Sequence, residues 1–138
     1  MNAYGLDFHH LGLAVAHPDE AVRFLTGLGY TLSPPIYDPL QKVNLTLAHC
    51  PGQPAIEVIS PSGEPGPLDG ILKQRTELLY HVGYQTRDLA TSLEAIKKDG
   101  NRILCVSPPK EAVLFAARPV SFYYVSGFGL IEIIEDVA

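Results

Sequence analysis

Four residues stand out as able to do chemistry together: His10, Glu57, His81 and Glu132. Each histidine is followed two positions later by a glycine, in His10-Leu-Gly-Leu-Ala-Val and His81-Val-Gly-Tyr-Gln-Thr. Each glutamate sits in an apolar run, Ile56-Glu57-Val58-Ile59 and Ile131-Glu132-Ile133-Ile134. A carboxylate in such company costs free energy unless it is paired or coordinates an ion. Taken singly, a strand histidine is more often a hydrogen-bonded core residue, and a strand glutamate more often faces water. Their joint occurrence at matched points of the chain reverses that balance. Two neutral imidazoles and two carboxylates suit one borderline divalent ion such as Co²⁺, Ni²⁺, Zn²⁺ or Mn²⁺.

The elements that must position these residues come in two echoing halves. The first histidine segment overlays the second at an offset of 71, which also carries Gly29 onto Gly100, and the glutamate segments match at an offset of 75. Insertions in the intervening loops account for the difference. Two repeats are too few for a solenoid, so they pair into a single domain over 1–138, with modules at about 6–61 and 77–138. Each half reads as strand, helix and three strands, an α+β unit of the form βαβββ. Phe8 to Val15 and Leu79 to Thr86 are the opening strands.

The first helix begins at Pro18-Asp19-Glu20, buries Ala21, Val22, Leu25 and Leu28, and is closed by Gly29. The second has Asp88 as N-cap, Leu89, Leu93 and Ile96 inward, Lys97 and Lys98 at its negative end, and Gly100 as terminator. The expected later strands are Tyr30 to Ile36, Lys42 to Ala48 and Ala55 to Ile59, then Arg102 to Val106, Pro119 to Val125 and Leu130 to Glu135. A turn-rich connection follows Ser60, with a short extra helix over Leu68 to Gln74.

Strand alternation decides which side chains can meet. His10, Gly12 and Ala14 share one face, and His81, Gly83 and Gln85 share another, each glycine leaving open space beside its histidine. His9 points to the opposite face, toward the helix. His17 and His49 are expected in solvated turns.

Composition narrows the function classes. Apolar residues at 46 % allow a buried core, and a net charge of −5 without any basic stripe excludes a nucleic-acid footprint. Lys97, Lys98, Arg102 and Lys110 read as a solvated helix end and loop. No apolar run reaches the roughly 18 residues of a membrane span. MNAYGLDFHH has neither the basic start nor the apolar stretch of a signal peptide, so a cytoplasmic protein is expected. Cys50 and Cys105 read as free thiols in small hydrophobic roles.

Taken together, these segments resemble the vicinal oxygen chelate (glyoxalase/bleomycin resistance/dioxygenase) superfamily, and within it the methylmalonyl-CoA epimerases. His10-Leu-Gly-Leu-Ala-Val is similar to the family's H-[IL]-G-[IL]-A-V, and Ile56-Glu57-Val58-Ile59-Ser60-Pro61 to I-E-L-L-E-P. Leu79-Tyr80-His81-Val82-Gly83-Tyr84 resembles L-H-H-I-A-F, and Val120-Ser121-Phe122 with Leu130-Ile131-Glu132 resembles V-A-F…L-I-E-L. The resemblance implies paired modules forming a half-open, mostly antiparallel barrel, with metal ligands at His10, Glu57, His81 and Glu132. Leu45 stands near the place where some epimerases carry an acidic base, and the glutathione-binding arginine of glyoxalase I enzymes is missing around Ala14 and Val15.

The expected activity is metal-dependent epimerisation or isomerisation by proton transfer next to a carbonyl or thioester. Glu132 is the favoured base and Glu57 its counterpart. Alternatives are a glyoxalase I-type lactoylglutathione lyase, an extradiol dioxygenase, and a non-catalytic binding or resistance protein. The expected partners are a small-molecule substrate and a second copy in a homodimer.

Overall fold

The structure, a computed structural model, describes residues 2–136, so positions 137 and 138 of the expected second module lie outside the described residues. His10–Tyr80 forms one compact unit, and His81 onward, with the residues up to His9, forms the other.

In the unit His10–Tyr80 the strands are β1 (Asp7–Val15, entering from the other unit), β2 (Thr31–Leu32), β3 (Ile36–Asp38), β4 (Val43–His49) and β5 (Ile56–Pro61). They run in the order β2-β4-β5-β1, with β3 beside β4. β1 and β5 are parallel, β4 and β5 antiparallel. The strand expected over Tyr30 to Ile36 is two short strands instead. Pro34 and Pro35 have no N–H to give a ladder, and Ser33 holds the chain in place, its N–H donating to the Leu47 carbonyl and its Oγ accepting from the Leu47 N–H, both at 2.9 Å.

Helix α1 (Pro18–Gly27) opens with a proline where a missing N–H costs nothing and sets Asp19 and Glu20 against the positive end of its dipole. It closes where Gly29 takes φ +99°, its N–H donating to Thr26 and that of Tyr30 to Leu25, each at 3.0 Å. This is a Schellman closure, and Tyr30 and Leu25 complete it in one core cluster with Val15, Ala48 and Val58. Leu28, expected inward, is 45 % exposed, because the chain has already left the helix there. The connection to the next module carries the short helix α2 (Asp69–Leu72) inside the expected span.

In the other unit the strands are β6 (Glu77–Thr86, whose first residues belong to His10–Tyr80), β7 (Ile103–Ala112), β8 (Arg118–Val125) and β9 (Gly129–Glu135), in the order β6-β9-β8-β7. β6 and β9 are parallel; β8 is antiparallel to both its neighbours. Asp88 caps helix α3 (Leu89–Lys98) as expected, its carboxylate accepting from the Thr91 N–H at 3.0 Å. Ile96, Tyr123, Ile131, Ile133 and Leu6 form the core beneath it.

β7 overturns one expectation: the pattern places the end of this strand at Val106, yet it continues through Pro108 and Pro109 to Ala112. Among the described residues it is an edge strand paired only with β8, so prolines can turn their missing donors outward. Two register shifts, between Cys105 and Ser107 and between Ser107 and Lys110, absorb the misfit. A 3-10 helix (Val113–Phe115) follows, and Phe115 seals a small cluster with Ala112, Val120 and Ile134.

Candidate functional site

The register of the two parallel strand pairs decides where the four polar residues go. In the first unit Gly12 of β1 lies opposite Glu57 of β5, and in the second Gly83 of β6 lies opposite Glu132 of β9. Parallel partners in register share a face, and residues two apart on a strand share it too. His10, Gly12 and Glu57 are therefore on one face of their sheet, and His81, Gly83 and Glu132 on one face of theirs. Gly12 and Gly83 put no side chain of their own beside the carboxylate opposite them.

The outcome is two like pairs. His10 Nε2 stands 3.9 Å from Glu57 Oε2, and His81 Nε2 stands 3.5 Å from Glu132 Oε1. All four residues are buried, from 0 % exposure at His10 to 4 % at His81. Apolar strands hold them there: Leu47 of β4 lies opposite Glu57, and Phe122 of β8 opposite Glu132. The Phe122 ring also stands edge-on to His81 at 5.3 Å between centroids, limiting how that imidazole can turn.

Burying a carboxylate costs several kcal/mol unless other groups compensate, so two in equivalent places mark a built feature. Each pair presents one imidazole nitrogen and one carboxylate oxygen, half of the donor set of a borderline divalent ion. Two donors about 2.1 Å from a shared ion stand roughly 3.0–3.4 Å apart for bond angles between about 90° and 109°. The His81–Glu132 pair is close to that spacing, and the His10–Glu57 pair is about half an ångström wider. The residues fit the group. Tyr80 and Tyr84, on the opposite face of β6, have phenols raised above their ordinary pKa by burial, so neither adds an anion.

Other sequence candidates go elsewhere. His9 is half-buried, with its ring edge-on to Phe115 at 5.3 Å. His17 is the exposed residue before α1. Cys50 is half-buried and Cys105 exposed, both free. Leu45 is buried opposite Ile59, on the same face as Glu57, so this part of the face is apolar.

His49 differs from expectation. It is the last residue of β4, paired with Thr31 of β2, and so belongs to the ladder and not to a turn. Extending the Val43, Leu45, Leu47 alternation by one step would have put it on the Glu57 face.

Comparisons with known proteins agree with this architecture. A model of the glyoxalase/bleomycin resistance protein/dioxygenase superfamily matches residues 9–122. An ethylmalonyl-CoA/methylmalonyl-CoA epimerase from Cereibacter sphaeroides is 28% identical over 130 residues, covering 91% of this chain and 95% of the relative. Among solved structures, a methylmalonyl-CoA epimerase from Mycobacterium tuberculosis superposes with TM-score 0.75 at 24% identity, covering 97% of this chain and 89% of that one. A hypothetical protein from Bacillus halodurans does so with TM-score 0.79 at 20% identity, covering 96% of both chains. These structures share the mixed α+β, glyoxalase-like fold. With the family model spanning most of its length, the chain belongs to the glyoxalase/bleomycin resistance protein/dioxygenase superfamily.

Proposed function

We propose that His10, Glu57, His81 and Glu132 together hold one divalent ion of the Co²⁺, Ni²⁺, Zn²⁺ or Mn²⁺ type. On this reading the protein is an epimerase that moves a proton next to the carbonyl of an acyl thioester. The observation that carries the reading is the equivalence of the two pairs: the same strand register buries an imidazole and a carboxylate on one face of each module. Between them the four residues would offer two nitrogens and two oxygens, a donor set that suits such an ion. The epimerase relatives support a CoA thioester as the substrate class.

When bound, the ion would supply Lewis-acid polarisation of the substrate carbonyl, making the neighbouring C–H more acidic. The protein's own groups do the rest. Glu132 accepts the proton from the α-carbon on a carboxylate oxygen, with Glu57 the second carboxylate able to carry one. His10 and His81 would serve as anchors for the ion. Phe122, Leu47 and Leu45 give the faces an apolar lining that excludes water from the reacting carbon.

Two measurements test the proposal. Protein purified without chelator should contain one divalent ion per chain by elemental analysis. In D₂O, a single epimer of methylmalonyl-CoA should take up deuterium at the α-carbon and invert. An ion-free protein, or two ions per chain, would overturn the shared site, and no exchange would overturn the epimerase.

The same reading includes a homodimer. Its support is the edge strand β7, which has one free side and leaves Leu104 at 67 % and Val106 at 57 % exposure.

A further inference from the structure

Epimerisation needs two proton transfers to one carbon, and the group that returns the proton must be recharged between turnovers. The face of β1, β4 and β5 that carries His10 and Glu57 is otherwise apolar: Ala14, Val43, Leu45 and Ile59 are all buried on it. His49 is the exception. It follows Leu47 by two positions on β4, and Leu47 is the residue opposite Glu57. Strand geometry then sets the His49 and Glu57 backbones about 8 Å apart, one strand and two residues away, with side chains on the same face. Among the described residues of these three strands, His49 is the one proton-carrying side chain on that face besides the pair itself. It is also exposed, unlike His10 and Glu57, and its ladder partner Thr31 carries no charge.

We infer that His49 is a further acid–base residue of this site, returning the proton to the α-carbon of an acyl-thioester substrate and exchanging it with water. The inference rests on the epimerase reading above. The balance is simple. The α C–H bond breaks, its proton passes to a Glu132 oxygen, and its electron pair moves onto the carbonyl. A new C–H bond then forms with the proton of the His49 imidazolium as the carbonyl re-forms. Water afterwards reprotonates His49 and takes the proton from Glu132. Imidazole is the side chain that gives and takes protons most readily near neutral pH, and an exposed ring recharges directly from water.

The test follows inversion and exchange separately, in D₂O, with one epimer of methylmalonyl-CoA and metal-loaded protein. With the epimer whose α-proton Glu132 removes, His49→Gln should keep its ion and its deuterium uptake within a few-fold of wild type, while inversion falls by about 10²- to 10⁴-fold. Free imidazole in the buffer should restore inversion to His49→Ala and leave Glu132→Gln unrescued, which a merely structural histidine would not do. A His49→Gln protein that inverts at the wild-type rate overturns the inference and leaves the epimerase reading standing. Wild-type protein that neither exchanges nor inverts overturns both.

Discussion

At the scale of single residues, the proposed site would make opposite demands on its ligands and its base. If Glu132 only anchors the ion, Glu132→Gln should lose affinity and recover its rate when metal is added. If it also carries the proton, the amide still offers an oxygen but cannot accept a proton. Turnover and α-deuterium exchange at saturating metal should then stay low by about 10²- to 10⁴-fold. Recovery to near wild-type rate would move the base to Glu57. The histidines separate more sharply: His81→Ala should strip most of the metal in elemental analysis, while His9→Ala, whose ring meets Phe115, should keep it. The reverse pattern would contradict the face assignment. His10, Glu57, His81 and Glu132 are legible in the sequence because each breaks an apolar run in a way that its counterpart repeats. His49 is not, because the turn signal of Cys50-Pro51-Gly52 stands directly beside it, and only the pairing with Thr31 shows the strand reaching that far.

At the scale of elements, helices α1 and α3 end alike, each before a glycine of positive φ, and begin differently. Gly29 at φ +99° terminates α1, and a methyl group there would meet only the Cys50 Sγ, at 3.6 Å. The cost of Gly29→Ala is therefore backbone strain, about 1–2 kcal/mol, read as a lower urea midpoint with unchanged slope. Asp88, at the start of α3, has its pKa lowered chiefly by the hydrogen bond from the Thr91 backbone. A carboxylate whose folded pKa is depressed stabilises fully above its unfolded pKa and loses that contribution as pH falls through the folded one. The stability gap between wild type and Asp88→Ala should hold from neutral pH down to about pH 4 and shrink below it. A gap independent of pH between about 5 and 3 would show that the charge is not what caps the helix. Caps and terminators are readable because they act within a few residues. The edge strand β7 is not: Pro108 and Pro109 signal a break locally, and only its single neighbour β8 makes a strand with prolines tolerable.

At the scale of the whole molecule, light scattering at micromolar concentration should report a homodimer, and a monomer would remove that part of the proposal. The repeat makes the βαβββ plan readable from the residues alone, since two offsets, 71 and 75, align segments throughout the chain. The partners of each strand are not readable in the same way, because periodicity gives a strand's faces and not its neighbours.

That pairing has a consequence for the order of folding. In each module the strand that carries the histidine pairs with the module's last strand, so Gly12 waits for Glu57 and Gly83 waits for Glu132. Everything between must be synthesised and brought around before either parallel contact forms, and such long-range closures are slow. Helices and hairpins such as β4–β5 and β8–β9 can form earlier from near neighbours. Metal affinity is therefore expected to arrive with the final closure of each module. A colorimetric chelator competing for the ion during refolding should lose it only in the slowest phase, after most helical signal has returned.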